Sequence, residues 1–542
     1  MKVHNFKKNI KFKCMKTIKF LLFAIMCLTI WDVKTIAQTD TNASTSKSST
    51  DSINGRLLKP QKVITHGAVT VEGNKINYDA VAGTIVLKDT NYKPTCSMFY
   101  VAYLKSGVGD ENQRPVTFIY NGGPGSSTIW LHMAAWGPRL APLEDTARLR
   151  APYKIVNNDY SLLDASDLVF IDAPGTGFSR VLTKDKGGAG ELSDFYGIDQ
   201  DAEAFSQFII NFLGAYNRWD SPKYLFGESY GTFRSAAVSY ILETKDYVDL
   251  NGVILLSQIL SYGNSADNPT ENPGNDMAYI LALPSYASTA WYHNKLPNRP
   301  QNLEPFLKEV EDFAMNEYTV ALVKGSSLDT STFNQIAEKL HQYTGLPVAH
   351  IKKTNLRITD YDFEKTLLGN DDRVTGRLDT RFSGFSMDPL GEFPLYDPQD
   401  ATVGSAITAT FNNYVRSTLN FDERMDYKVE PADIYTNWDN RHLAVQQAFG
   451  ATNDRIFANV MPDLALAMIH NPKLRVMLNM GYFDLATPYF EGIYEMHHLP
   501  MPNALQKNIS YAFYKSGHMV YLHPQSHKKL HDNVAKFIED TH

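Results

Sequence analysis

Four short apolar runs, "VTFIY" (116–120), "DLVFID" (167–172), "YLFG" (224–227) and "GVILLS" (252–257), frame the fold of this chain. They lack the polar alternation of a strand with one wet face, so each reads as a strand buried on both sides. Helical stretches such as "DAEAFSQFIINFLGAYNRW" fall between them. Buried strands alternating with helices predict an α/β fold with a mostly parallel central sheet flanked by helices. Upstream, residues 63–89 and 96–104 show β-rich runs punctuated by Gly and Asn, which predict antiparallel hairpins. The alternation stops near residue 261 and resumes with the helix-like "PDLALAMIH" (462–470) and the strands "LRVMLNM" (474–480) and "ISYAFY" (509–514). Between these lie helix-like segments, "EPFLKEVEDFAMNEY" and "TFNQIAEKLHQY", with aromatic and Pro-rich stretches. The division expected is a core in two parts, 60–261 and 456–542, with an inserted, largely helical cap over 262–455. A separate, unrelated domain is the alternative.

The N-terminus has its own logic. Seven lysines precede the apolar run "FLLFAIMCLTIW" (20–31), and "KTIAQ" follows with a small-residue site. This is the order of a secretory signal peptide, residues 1–37, cleaved after Ala37. An apolar run of twelve residues is too short to span a bilayer, so no stable membrane span is expected once the leader is removed. Residues 38–59, rich in Ser, Thr, Asn and Asp, read as a flexible linker. The leader holds eight of the 52 Lys+Arg and one of the 59 Asp+Glu, which leaves 44 basic and 58 acidic residues, a formal charge of −14. A net acidic surface repels nucleic acid, which is not expected as a partner. Cys14 and Cys27 fall in the leader, so Cys96 alone remains and no internal disulfide can form. An exported, periplasmic or extracellular chain of this kind must be held by its core.

Within the parallel frame, the informative turns follow the carboxyl ends of strands, where α/β sheets bind ligands. "YNGGPGSS" (120–127), "DAPGTGFS" (172–179), "FGESYG" (226–231), "NMGYFDLATP" (479–488) and "KSGHMV" (515–520) all occupy such positions and are expected to meet on one rim. Ser229, with Gly227 and Gly231 two residues to either side, matches the Gly-x-Ser-x-Gly elbow, in which a strand turns sharply into a helix and exposes the hydroxyl. A serine hydroxyl needs a base within hydrogen-bond reach and a carboxylate to orient that base. His518 and Asp484 follow Ser229 in the order Ser, acid, His, each just past a strand. An oxyanion needs amide donors. Tyr230, after the serine, offers one, and Gly123 in "NGGPG" is assigned the other.

These motifs, in this order, resemble the serine carboxypeptidases, α/β-hydrolases that remove C-terminal residues from peptides. The resemblance covers residues 60–542 and is carried by "NGGPGSS", "DAPGTGFS", "GESYG", the Gly-x-x-Asp of "GYFD" and "GHMV". It implies Ser229 as nucleophile, His518 as base and acid, Asp484 as orienting carboxylate, and Gly123 and Tyr230 as the oxyanion hole. It also implies that Asn121 and Glu228 bind the substrate's terminal carboxylate. Ser126 stands where better-known members have cysteine, as suits a disulfide-free, bacterial-type relative. Those members also carry a second glutamate two residues before a Gly-Pro pair, and counting without gaps to Gly137-Pro138 puts Ala135 there.

The expected activity is that of a serine carboxypeptidase acting on peptide substrates through an acyl-enzyme. An esterase, acyltransferase or aminopeptidase of the same fold is the alternative, and a non-catalytic binding protein is a further one. No metal or cofactor is expected: "EMHH" (495–498), read as a surface helix or loop, lacks His-Glu-x-x-His spacing, and "GTG" (175–177) is too short for a nucleotide fingerprint. Oligomeric state and side-chain preference are not encoded in these motifs. Mass spectrometry of the exported protein is expected to find Gln38 at the mature N-terminus. A chain still beginning at Met1 or Met15 would contradict cleavage.

Overall fold

Ten strands share one sheet in a computed structural model that describes residues 55–267, 269–421, 424–443, 455–456 and 458–542. The leader and residues 38–54 of the linker lie outside the described residues. The chain enters by three long antiparallel strands, β1 (Lys62–Val71), β2 (Asn74–Lys88) and β3 (Pro94–Lys105). Then come β4 (Val116–Tyr120), β5 (Asp167–Ile171), the two-residue β6 (Arg180–Val181), β7 (Lys223–Glu228), β8 (Gly252–Leu256), β9 (Arg475–Gly481) and β10 (Ile509–Tyr514). Across the sheet the order is β1-β2-β3-β5-β4-β7-β8-β9-β10, with β6 on β3. Every pairing from β5 to β10 is parallel. All residues of β4, β5, β7 and β8 are buried, which is why their sequences are continuous apolar runs rather than alternating ones.

Each crossover brings a helix onto a face of the sheet. Helix α1 (Ile198–Ala215) and α2 (Tyr230–Thr244) flank β7, and α2 buries Phe233, Ala236, Val238 and Leu242. The stretch expected to be helical to Trp219 ends at Ala215, because Asn217 takes a left-handed φ of 50°. Order also begins before residue 60: Leu57 is buried against Val86 and Leu182.

Between β8 and β9 the described residues add no strand to this sheet. They form α3 (Met277–Tyr292), α4 (Leu303–Phe313), α5 (Thr330–Thr344) and α6 (Pro398–Ser417), then α7 (Met461–His470), which packs on α2. One stretch of this excursion returns to the sheet's carboxyl rim. The backbone of Arg377, Leu378 and Thr380 bonds to Leu485, His518 and Phe483 in the loops after β9 and β10, at 3.0, 2.7 and 2.9 Å.

Helix α8 (Tyr489–His497) follows β9, and α9 (Pro524–Thr541) ends the chain. The "EMHH" stretch in α8 is not wholly at the surface. His497 and His498 are exposed, but Glu495 and Met496 are buried. Glu495 accepts hydrogen bonds from the Leu260 amide (2.7 Å), Gln258 Nε2 (2.8 Å) and Asn264 Nδ2 (3.3 Å), and so holds the loop after β8. Glu491, one turn earlier, is also buried, and its Oε1 has no partner.

Burial raises the carboxyl of Glu495 to about 7 and that of Glu491 well above the carboxylate range, with the neighbouring Glu495 charge adding to the latter. A carboxyl whose pKa is higher folded than unfolded contributes stability below its unfolded pKa and loses it as pH rises through the folded value. The melting temperature is therefore expected to fall from about pH 5 to pH 8. Glu491→Gln should leave stability at pH 5 nearly unchanged and raise it at pH 8. Calorimetry at both pH values checks this, and a variant destabilised equally at both would refute it.

Candidate active site

Strand β7 ends at Glu228 and α2 begins at Tyr230, leaving one residue for the turn. Ser229 makes it with φ 60° and ψ −130°, a region that side chains rarely enter. Its amide donates to Leu256 O at the end of β8 (3.0 Å). The glycines are required by contact. A Cβ on Gly227 would lie 2.1 Å from Gly231 O, and one on Gly231 would lie 2.9 Å from Tyr120 O at the end of β4.

The "NGGPG" loop leaves β4 and presses against this elbow. A Cβ on Gly122 would fall 2.5 Å from Tyr230 N and 2.6 Å from Gly231 N, so the backbones touch directly. Gly123, at φ 106°, then turns the chain away. Buried Arg234 on α2 fixes the junction: its guanidinium donates to Asn121 O (2.7 Å) and pairs with Asp201 on α1 (2.6 Å).

Asp484 and His518 follow β9 and β10. His518 Nδ1 lies 2.8 Å from Asp484 Oδ2. Asp484 also accepts from the Thr487 amide (3.0 Å) and Thr487 Oγ1 (2.8 Å), so its carboxylate is held from three sides. The histidine loop is clamped by the inserted segment: Leu378 O accepts from His518 N, and Asp379 Oδ2 accepts from Gly517 N (3.1 Å). Ser257 Oγ donates to His518 O at 2.6 Å.

Ser229 and His518 line one cavity of about 490 Å³, together with Asn121, Gly123, Glu228 and Tyr230. Burial works against the imidazolium of His518, but the charge and hydrogen bond of Asp484, with Glu228 beside it, raise its pKa above the ordinary histidine value. Glu228 is buried, accepts from Tyr521 OH at 3.3 Å, and leaves Oε2 without a partner. Burial lifts its pKa to about 7, while His518 and the Tyr521 hydrogen bond pull it down.

The sequence profile described as serine carboxypeptidase matches residues 75–523. The chain belongs to this family. A carboxypeptidase Y homolog from Arthroderma benhamiae is 30% identical over 151 residues, and that alignment spans 27% of each chain. The crystal structure of Kex1, a prohormone-processing carboxypeptidase from Saccharomyces cerevisiae, superposes with a TM-score of 0.52 at 15% identity, covering 85% of this chain and 92% of that one. This likeness shows the α/β-hydrolase fold.

Two positions singled out in the sequence can be placed. Ala135 is not among the residues that line the cavity. It is buried in a π-helical turn, Leu131–Trp136, where its carbonyl accepts from Asn158 Nδ2 (2.8 Å) and His527 Nε2 (2.9 Å). The "DAPGTGFS" turn, expected on the rim, lies behind it. Asp172 Oδ1 accepts from the Thr128 amide (2.9 Å) and Tyr427 OH (3.0 Å), and thereby supports the "NGGPG" loop without lining the cavity. Sequence reasoning missed Thr487, Tyr521 and Arg234. Arg234, a charge inside the apolar run "TFRSAAV", carried the clearest signal.

The contacts give graded expectations for labelling by a fluorophosphonate probe. Ser229→Ala should not label. His518→Ala should label at least about a thousandfold more slowly than wild type. Thr487→Val, which removes one of three donors to Asp484, should cost about tenfold. Full-speed labelling of a folded His518→Ala variant would remove the histidine from the mechanism.

Proposed function

We propose that this chain hydrolyses C-terminal peptide bonds as a serine carboxypeptidase, with Ser229 as nucleophile, His518 as base and Asp484 as its orienting carboxylate. The observation that carries the reading is the Asp484–His518 pair, 2.8 Å apart, with His518 in the same cavity as a serine on a strained strand-to-helix elbow. In the proposed cycle Ser229 Oγ attacks the scissile carbonyl carbon and His518 Nε2 takes its proton. The amides of Gly123 and Tyr230 stabilise the oxyanion. The tetrahedral species then expels the C-terminal residue as an amine, protonated by His518, and leaves an acyl-Ser229 ester. Water, deprotonated by His518, attacks the ester and returns the serine. Residues 262–455 would act as the cap, and the leader read in residues 1–37 supports export to a periplasmic or extracellular space. Peptides are the proposed substrates.

Asn121 and Glu228 are the proposed site for the terminal carboxylate. With no second glutamate at position 135, the proton that lets a carboxyl bind a carboxylate must come from the environment of Glu228 itself. A cavity wall that holds Glu228 near neutrality supports this. Below about pH 7 a protonated Glu228 donates to the substrate, and above it an ionised Glu228 repels it. The test compares an N-blocked dipeptide with its C-terminal amide across pH. Preference for the free acid is expected to strengthen as pH falls, and Tyr521→Phe, which removes a bond favouring the ionised form, should move its midpoint upward. Equal rates for acid and amide at every pH would reject the carboxypeptidase reading in favour of an esterase or aminopeptidase.

A further inference from the structure

The inserted region carries an apolar surface that the proposed chemistry leaves unused. Among the described residues eighteen large apolar side chains are exposed, and six of them fall between Phe385 and Tyr396. Met387 is 82% exposed and Leu390 98%, with Phe385, Phe393, Leu395 and Tyr396 beside them in sequence. Exposed apolar groups scattered singly need no explanation, but a run of this kind marks a contact surface.

This strap is held in shape without a partner. Its start is the short antiparallel ladder of Arg373–Thr375 with Ser383–Phe385, and its two ends are joined by Tyr396 OH donating to Phe385 O (3.0 Å). Lys365 Nζ donates to Ser386 Oγ (2.9 Å), and the Arg373 guanidinium covers the Phe385 ring at 5.1 Å. Phe393 meets Tyr361 edge-on at 5.3 Å. After Tyr396, Asp397 caps α6 and also accepts the amides of Arg377 and Leu378, the segment that clamps the His518 loop.

Pro394, Leu395 and Tyr396 line the cavity that contains Ser229, so the exposed strap continues its wall outward. On the peptidase reading above, on which this inference rests, a single residue lies beyond the scissile bond. Any peptide that leaves the cavity across the strap is therefore the part upstream of that bond. We infer that residues 385–396 form a binding strap for an apolar segment of the peptide substrate, on the N-terminal side of the bond that is cut. An extended peptide advances about 3.3 Å per residue and turns alternate side chains to one face, so the strap would read roughly three or four upstream residues. Asp267 on the same cavity wall is paired with Arg377 and Glu364 is held protonated by burial, which leaves Asp400 and Glu430 to disfavour acidic residues there at neutral pH. The substrate class is thus peptides whose residues just before the C-terminus are apolar and not acidic. Asp388 and Glu392 within the strap, on a chain of net negative charge, argue against an anionic lipid surface as its occupant.

Binding is measured by calorimetry on the Ser229→Ala variant, which separates it from turnover. Two N-acetyl hexapeptides share their last two residues and carry either three leucines or three serines before them. The leucine peptide is expected to bind at least about tenfold more tightly. Met387→Ser with Leu390→Ser should remove most of that difference, leave the serine peptide unaffected and, with Ser229 present, leave cleavage of an N-blocked dipeptide unchanged. Equal affinity for the two peptides, no measurable binding of either, or a preference that survives both substitutions overturns the inference. A dimer in sedimentation that dissociates on those substitutions, with peptide preference intact, also overturns it and assigns the face to a second copy. Failure of the active enzyme to cut either peptide would reject the carboxypeptidase reading alone, since the binding comparison still decides the strap.

Discussion

A serine held at φ 60° and ψ −130° is a conformation the isolated chain would abandon, at a cost of about 1–3 kcal/mol. The fold retains it because three backbones meet at the elbow with no side chain between them. Gly227 lies under Gly231, Gly231 against the end of β4, and Gly122 against the amides of Tyr230 and Gly231. Two further contacts lock the group from outside. The Ser229 amide donates to β8, and Arg234 binds the Asn121 carbonyl while its charge is neutralised by Asp201. Arg234 is fully buried, so removing either partner would leave an uncompensated charge in the core. The position of Ser229 is therefore set by packing across β4, β7, β8, α1 and α2 together.

Asp484 and His518 are held differently, by a part of the chain far from both in sequence. Residues 377–381 of the insertion bond to the loops after β9 and β10 through Arg377 O, Leu378 O, the Thr380 amide and the Asp379 carboxylate. Arg381 pairs with Asp379 at 2.6 Å and keeps that carboxylate compensated while it holds Gly517. A Cβ on Gly517 would lie 2.4 Å from that of Asp379, so the histidine loop can be held this closely only with glycine there. The inserted region is therefore part of what holds the site together. It restrains the Asp484–His518 pair, and through Asp397 the same segment is tied to the apolar strap.

What the sequence disclosed follows from which physics leaves a residue-type signature. The inner parallel strands were legible because burial on both faces demands uninterrupted apolar residues; the edge strand Ile509–Tyr514 is only partly buried, and all six runs correspond to observed strands within a residue or two at their ends. Ser229, Asp484 and His518 were legible as a set because each follows one of those strands, and the structure brings Ser229 and His518 to one cavity with Asp484 behind the histidine. The clamp at 377–381 was not legible, since a backbone carbonyl accepts a hydrogen bond whatever side chain it carries. Thr487 reaches Asp484 by a local i+3 turn that many loops share, and Tyr521 reaches Glu228 only through the tertiary fold.

Acidic groups connect the site to the stability of the fold. Glu228, Asp400 and Glu364 on the cavity wall, and Asp360, Glu491 and Glu495 behind it, all have carboxyls raised by burial, to about 7 for Glu228 and Glu495 and about 6 for Asp400 and Asp360. Arg377 lies among them, and its partners are Asp267 and Asp360. One guanidinium cannot neutralise so many carboxylates, so the arrangement is most stable when several carry protons. The same protonation would turn Glu228 from a repeller of carboxylate into a donor to it. If Glu228 binds the substrate carboxylate as proposed, burial of carboxyls without matching cations would couple recognition to folding with one sign: a rise in pH would work against both, because both would depend on the same class of buried proton.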